Sequence, residues 1–474
     1  MKKVFLGALA LTFGAIGFAQ NTSTVNQTGL NGISTVIQQN SGNKAIQNQS
    51  GAANEVYIKQ TGSDNYANQQ QTDRYPSILV YPTNVSEAKI IQSGNKNKAW
   101  QTQSYENNNA FANQSGNDNV SRQTQTAWGN DADVRQSGNR NNARQTQKSA
   151  AAMADINQSG NDNKATQDQL LGKYNDATAK QSGDRNTSYQ SQTGVASNGA
   201  HNNVAVNQSG NDNYAKQTQG NNGGGVKQLA SINQLGNRNR ATQDQLGGQD
   251  NELKAKQSGN DNKSKQVQSW AWGAYGEVMQ SGHRNTADQM QSGSASTAKI
   301  NQSGNDNYAK QTQTSAADFN LAQINQSGNN NSAKQMQDGT GAWTGMNTVK
   351  IDQSGNDNKA VQDQDNPGTT FTHNFASINQ QGNNDRAYQN QYGDGDKAVI
   401  IQKGGNNNYG LQDQTAASIG ADARLVQNGS NNWSKQWQDG TNNVSNVSQT
   451  ANDHWSIVTQ SGMGNSNTVI QNNN

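Results

Sequence analysis

Residues 157–169 read "NQSGNDNKATQDQ", residues 207–219 read "NQSGNDNYAKQTQ", and the second of these recurs letter for letter at 301–313. A near copy, "KQSGNDNKSKQVQ", occupies 256–268. Self-similarity at a fixed period marks a repeat architecture. A Gln ahead of an x-Gly pair recurs at Gln60, Gln92, Gln114, Gln136, Gln158, Gln181, Gln208, Gln234, Gln257, Gln280, Gln302, Gln326, Gln353, Gln380, Gln402 and Gln427, with weaker copies at Gln38 and Gln449. The shared pattern is Gln-x-Gly-Asn-x-Asn-x-Ala-x-Gln-x-Gln. Its last Gln follows its first by eleven residues, as in Gln92 to Gln103, Gln158 to Gln169, Gln208 to Gln219 and Gln302 to Gln313. Only the copy that starts at Gln402 is one residue longer, at an extra Gly.

The return to the next copy is less strict. It takes eleven residues in many copies, sixteen from Gln192 to Gln208, Gln337 to Gln353 and Gln364 to Gln380, and twenty-one from Gln71 to Gln92. Pro76, Pro82 and Pro367 all fall in such returns. Half of the repeat is fixed and the other half carries a loop that grows, with insertions at 72–86, 193–203, 220–229, 338–347 and 365–375. A solenoid confines its insertions to one edge in this way.

Alternation sets the secondary structure. Two and four residues before a first Gln the chain places Ile90 and Ala88, Ile156 and Ala154, or Ile300 and Ala298. After the turn, Asn163, Ala165, Gln167 and Gln169 fall on every second residue. Period two means strands. The expected fold is all-β: a β-solenoid of about 18–19 stacked strand–turn–strand coils of ~22 residues, forming two facing, amyloid-like parallel sheets. The Gly-Asn turn depends on Gly94, Gly160, Gly210 and Gly304 and their equivalents.

Ordering about 22 residues costs on the order of 20–40 kcal/mol of backbone entropy. Burying one Ile and two Ala returns only a few kcal/mol, and each unpaired buried amide adds roughly 1–3 kcal/mol of cost. A lone coil fails. Stacked coils let each amide meet its counterpart about 4.8 Å along, as a ladder. The expected rungs are Gln92, Asn97 and Gln103; Gln158, Asn163 and Gln169; Gln208, Asn213 and Gln219; and Gln302, Asn307 and Gln313.

The variable letter of "SGNxN" alternates in sign: Asp64, Lys96, Asp118, Arg140, Asp162, Arg185, Asp212, Arg238, Asp261, Arg284 and Asp306, before the neutral Asn330. Stacking successive coils sets opposite charges side by side. Stacking identical copies of different chains in register would set Asp on Asp, which is unfavourable. The alternation therefore predicts that neighbours in sequence are neighbours in space.

Composition agrees with a core that is not oily. Hydrophobic residues make up 29%, aromatic 6% and charged 15%, with 48 Gly, 3 Pro and no Cys. Ordinary globular chains hold ~45–50% apolar residues. The first residues, "MKKVFLGALALTFGAIGFAQ", set two lysines before an apolar run from Val4 to Phe18, with small residues ahead of Gln20. This reads as a secretory signal over 1–19, preceding a repeat region over 20–474, with no transmembrane segment in the mature chain. Losing Lys2 and Lys3 from the 36 basic residues leaves 34 against 34 acidic ones, so the mature chain is formally neutral. Neutrality removes repulsion between copies, and no basic block invites nucleic acid.

"QSGNDNKATQDQ" at 158–169 resembles the curlin repeat, the unit of bacterial curli fibre subunits, whose pattern is Ser-x5-Gln-x-Gly-x2-Asn-x-Ala-x3-Gln. The match lies at Gln158, Gly160, Asn163, Ala165 and Gln169. It extends from about Gln27 to Gln471, although Ala152 holds the place of the family's Ser, and Gln167 is additional. The resemblance implies a secreted functional amyloid that polymerises into cell-surface fibres, builds biofilm matrix and mediates adhesion. It also implies partners: other copies of the chain, a minor nucleator subunit and a curli-type outer-membrane secretion channel. Family subunits carry a separate secretion segment, whereas here repeats begin by Val25 and Gln27. The larger repeat number makes each chain a long piece of fibre, roughly 80–90 Å at one strand spacing per coil.

Other chemistry finds little footing. His201, His283, His373 and His454 are scattered and read as solvated turn residues. A calcium-binding roll uses a nine-residue repeat, and the basic residue at every second Asp site would repel a cation. An ice-binding solenoid needs a Thr column, but Thr102, Thr124 and Thr146 give way to Asp168, Ser191, Asp244 and Met290. No enzyme activity, catalytic residue, cofactor or metal is expected. Trp128, Trp270, Trp272, Trp343, Phe371 and Phe375 lie in the returns, packing the loops or forming a sticky edge for sugars or surfaces. Strand edges at both ends predict head-to-tail addition of copies. The competing class is a monomeric solenoid adhesin or surface-layer spacer.

Overall fold

The computed structural model describes residues 20–72, 85–193, 202–220, 227–314, 319–339, 347–366 and 373–472. The proposed signal segment at 1–19, most of each predicted insertion, Trp343, Phe371 and His201 lie outside them. Every regular element among the described residues is a strand, numbered β1 to β38 in chain order. The chain divides into two compact units, Met1–Lys227 and Gln228–Asn474. Each is a parallel β-solenoid with two facing sheets.

In the first unit β1 (Thr22–Leu30) pairs with β3 (Lys44–Ala52), and β3 with β5 (Tyr66–Thr72), all parallel. Between them in sequence, β2 (Ile33–Gln39) pairs with β4 (Glu55–Thr61). Alternate strands thus build opposite sheets. The second unit repeats the scheme, as in β22 (Tyr275–His283) on β24 (Thr297–Asn305) and β23 (Thr286–Gln291) on β25 (Tyr308–Gln313). Register follows the repeat: β10 (Asp131–Asn139) meets β12 (Met153–Asn161) with Gln136 opposite Gln158 and Gly138 opposite Gly160. The longer return before Gln208 does not shift it. β14 (Asp176–Ser182) still meets β16 (Asn203–Ser209) with Gln181 opposite Gln208.

Burial alternates with period two, as the sequence demands. In β4 the residues Val56, Ile58 and Gln60 are buried and their neighbours are not. The apolar core is a narrow stripe in which Val134 and Ile156 of one sheet pack on Ala143 and Ala165 of the other. Small Ala opposite a β-branched residue lets the sheets approach closely, and the space on either side is filled by Gln and Asn. Phe375, expected in a loop, is the first residue of β30 (Phe375–Gln380) and points outward, because the strand period begins one residue sooner than the spacing suggested.

Candidate functional site

The turn between the two strands of a coil is the most constrained element. Gly94, Gly160, Gly210 and Gly304 all have φ near +100°, at 97°, 99°, 105° and 96°. A Cβ on Gly160 would lie 2.2 Å from the carbonyl oxygen of Gly183 in the next coil, so stacking itself excludes any side chain there. Two residues later Asp162 has φ 59° and Arg140 has φ 56°, left-handed conformations costly for a branched or long side chain. The alternating charges therefore sit on a strained corner, which sequence reading missed.

The corner Asn ties neighbouring coils together. Asn163 donates its backbone N–H and Nδ2 to Asn141 Oδ1 in the coil before, both at 3.1 Å, and Nδ2 also to the Gly183 carbonyl in the coil after, at 2.7 Å. Asn97 donates its backbone N–H to Asn65 Oδ1 and its Nδ2 to the Gly116 carbonyl, and Asn307 joins Asn285 and Gly328 as Asn163 joins its neighbours. Asn213 donates to Asn186 at 3.0 Å.

The Gln residues form columns with one polarity, each Nε2 donating to the Oε1 of the coil that follows. Gln92 donates to Gln114 and Gln158 to Gln181, both at 2.8 Å, and Gln302 to Gln326 at 2.9 Å. Gln208 accepts from Gln181 at 2.8 Å. On the facing sheet Gln103 donates to Gln125, Gln169 to Gln192 and Gln313 to Gln337, at 2.9–3.0 Å, and Gln219 accepts from Gln192. These side chains are buried. Spare amide hydrogens go to backbone carbonyls, as from Gln169 to Met153 O at 2.9 Å, so the polar interior is largely satisfied, with the hydroxyls of Ser121, Ser188 and Ser264 among the exceptions.

The charged column is directional. Arg140 grips Asp162 with two bonds of 2.7 Å, and Arg185 grips Asp212, Arg238 Asp261 and Arg284 Asp306 in the same bidentate fashion. Each Arg closes on the Asp that follows. The guanidinium of Arg140 holds the Asp162 carboxyl below its usual range, and Arg284 does the same to Asp306. Among the described residues Lys96 and Asp118 form no ion pair, unlike the Arg–Asp neighbours. The Arg side chains are about 60% exposed, so these pairs set register more than stability.

Two acids interrupt the buried amide columns of the second unit. Asp385 stands in the corner Asn column: its N–H donates to Asn358 Oδ1 at 2.9 Å, and Asn408 donates to its Oδ1. Among the described residues its Oδ2 has no well-formed hydrogen bond, and the Gly382 N–H is a donor near the carboxylate. Burial pushes its pKa up to about 6, against the pull of the Asn408 donors and of the Gly382 N–H. Asp396 replaces Asn at the opposite corner and is also pushed up to about 6 by burial, although Ser418 Oγ and the Ala421 N–H donate to it. The copy "QQGNND" at 380–385 already showed Asp where the pattern places Asn.

On the outer face Tyr409, Trp433 and Trp455 stack with centroids 5.7 and 5.3 Å apart and nearly parallel planes. Trp433 is stacked on both sides, whereas Trp455, at the end of the stack, is 60% exposed. Of the loop aromatics Trp128, Trp270 and Trp272 are exposed. His454, expected in a solvated turn, occupies the corner Asn column, with its N–H donating to Asn432 Oδ1 at 3.1 Å. His283 lies on the exposed edge beside Asn260. Among the described residues no group of three or more His, Asp or Glu is placed to hold a metal ion, and no helix is long and apolar enough to cross a membrane. No family model matches the chain, and no curated protein matches it by sequence. Fold and site define it as a parallel β-solenoid with an amide-laddered interior.

Proposed function

We propose that the chain is a structural subunit of extracellular, curli-like amyloid fibres, secreted to the bacterial cell surface, where copies add head to tail to build biofilm matrix and support adhesion. One observation carries the reading. The bonds that fill the interior run from coil to coil, and such bonds do not distinguish a coil of the same chain from a coil of another copy. The exposed faces of the terminal strands agree with this: all nine residues of β1 are exposed, and most of β38 (Ser466–Asn472) is. Solenoids that stay monomeric cover such ends with polar caps. The curlin-like repeat supplies the rest of the reading, including a minor nucleator subunit and an outer-membrane secretion channel as partners.

Electron microscopy and amyloid-dye binding on the chain from Gln20 onward test it. Unbranched fibres are expected. A monomer that persists at high concentration overturns the proposal in favour of a solenoid adhesin or surface-layer spacer. Capture of a curli-type channel by the full-length precursor tests the export route.

A further inference from the structure

We infer that β1 and β2 of one copy seat on β37 (Trp455–Ser461) and β38 of a second copy in a single register, Val25 on Val458 and Ile37 on Ile470. This rests on the fibre reading above and adds which residues make the joint.

Four observations point to it. First, β2 and β38 share a tetrapeptide, Thr35-Val36-Ile37-Gln38 and Thr468-Val469-Ile470-Gln471. Parallel stacking in register sets like on like, as β36 (Val444–Thr450) already does for β38 through Val447 opposite Val469 and Gln449 opposite Gln471. Ile37 and Ile470 are 39% and 66% exposed, at a position that Asn113, Arg135 and Asn157 fill in some middle coils and Ile91, Ile401 and Val426 in others.

Second, a buried Gln column gives way to Val at each end. Gln47 lies opposite Val25 of β1, and Gln436 opposite Val458 of β37. The column is closed off there by hydroxyls: Ser34 Oγ donates to Gln47 Oε1, and Gln436 Nε2 donates to Ser445 Oγ at 2.8 Å. Neither Val leaves a stranded amide; Val25 is 43% exposed, and in this register it continues the column of Val458, which is already buried. Ser23 and Ser456, in a column otherwise mostly Ala, match beside them.

Third, the remaining Gln columns end unfinished and with the right polarity. In mid-column Gln136 Nε2 donates to Val120 O at 3.0 Å and onward to Gln158 at 2.8 Å. Gln471 keeps the first bond, to Trp455 O at 2.9 Å, and has no onward Gln. Gln460 likewise donates to Val444 O and Asn465 O but lacks the forward amide that Gln147 finds in Gln169. At the other end Gln27 and Gln38 donate inward, to Gln49 and Gln60, leaving their Oε1 atoms facing out. Donor meets acceptor only head to tail; a tail-to-tail contact sets Nε2 against Nε2.

Fourth, β1 pairs with β3 alone and β38 with β36 alone among the described residues, so one edge of each is open to parallel addition. Other columns are unlike: Thr22 would face Trp455, Thr24 Ile457, Ile33 Ser466 and Ser34 Asn467, and in the corner column Asn21 would face His454.

The chain has no Cys, so a pair can be introduced cleanly. The double variant Ile37→Cys with Ile470→Cys is polymerised under reducing conditions, oxidised with copper phenanthroline, dissolved in denaturant and run on a non-reducing gel. Both positions are exposed, so folding is retained, which circular dichroism checks. Parallel in-register neighbours fall within disulfide reach. The expected result is conversion of most monomer to a ladder of dimers, trimers and higher species. Each single variant should stay monomeric on the same gel. Fibres without a ladder overturn the joint and leave the fibre reading standing. Dimers from the Ile470→Cys single variant overturn it in favour of a tail-to-tail contact. Absence of fibres from the unsubstituted chain overturns the reading on which it rests.

Discussion

Asp385→Asn should make the second unit more stable at neutral pH, against the usual direction for a change at a buried position. In the coil before, Asn358 Nδ2 donates to the Gly382 carbonyl at 2.8 Å. Asp385 sets an oxygen in that place, with no well-formed hydrogen bond to Oδ2 among the described residues and only the pull of the Gly382 N–H to offset its burial. Its pKa rises from 3.8 to about 6. That difference of about 2 units is worth about 3 kcal/mol. The raised pKa means the folded state holds the proton more tightly than the unfolded one. The penalty is therefore absent below the unfolded pKa, grows as pH rises from about 4 to about 6, and is complete above that. Asn supplies the missing donor and has no charge to desolvate. Hydrogen exchange on the amides of β30 and β31 (Arg386–Gln391) reads the local opening energy. At pH 7.5 the variant should exchange about a hundredfold more slowly than the parent, after correction for intrinsic rates, with the gain vanishing at pH 4. Equal or faster exchange at pH 7.5, or a gain that persists at pH 4, refutes the reasoning. Asp396→Asn should gain less, because Ser418 and Ala421 already donate to that carboxylate.

Gly138→Ala places a Cβ 2.1 Å from the Gly160 carbonyl oxygen at φ 96°, and should cost on the order of 3 kcal/mol or more, seen as lost strand signal in circular dichroism. Gln145→Leu strands Gln167 Oε1, which accepts from Gln145 at 3.0 Å, and should cost about 2 kcal/mol in denaturant stability; a neutral effect would mean the column is not cooperative. Lys96→Asn relieves a left-handed residue (φ 58°) with no ion pair, and Asn384 and Asn407 already fill that position in the second unit. It should stabilise by up to about 1 kcal/mol, whereas Arg140→Asn, which also loses the Asp162 pair, should gain less in the same melt.

The Gln and Asn columns were legible because a ladder needs only identical residues at a constant period, and period is a one-dimensional property. Gln158, Gln181 and Gln208 announce themselves despite returns of different length, since an insertion changes the count between coils and not the residue that stacks. The Arg–Asp column was legible as an alternation of sign. Its direction was not, because both neighbours of an Asp are basic in the sequence and only the corner geometry decides which guanidinium reaches it.

What the sequence by itself determined is the strand period, the Gly turn, the inward set of Ala, Ile, Gln and Asn, and the stacking of successive copies. All of these follow from spacing and from the need to pair every buried amide. Only the tertiary structure decided the polarity of the columns, the left-handed corner under Asp162 and Arg140, the burial of the Asp385 carboxylate and the hydroxyl closure at Ser34 and Ser445. The physical reason is the same each time. A hydrogen bond has a direction and a carbonyl has a position, and both are fixed by the neighbouring coil rather than by the letters of the repeat.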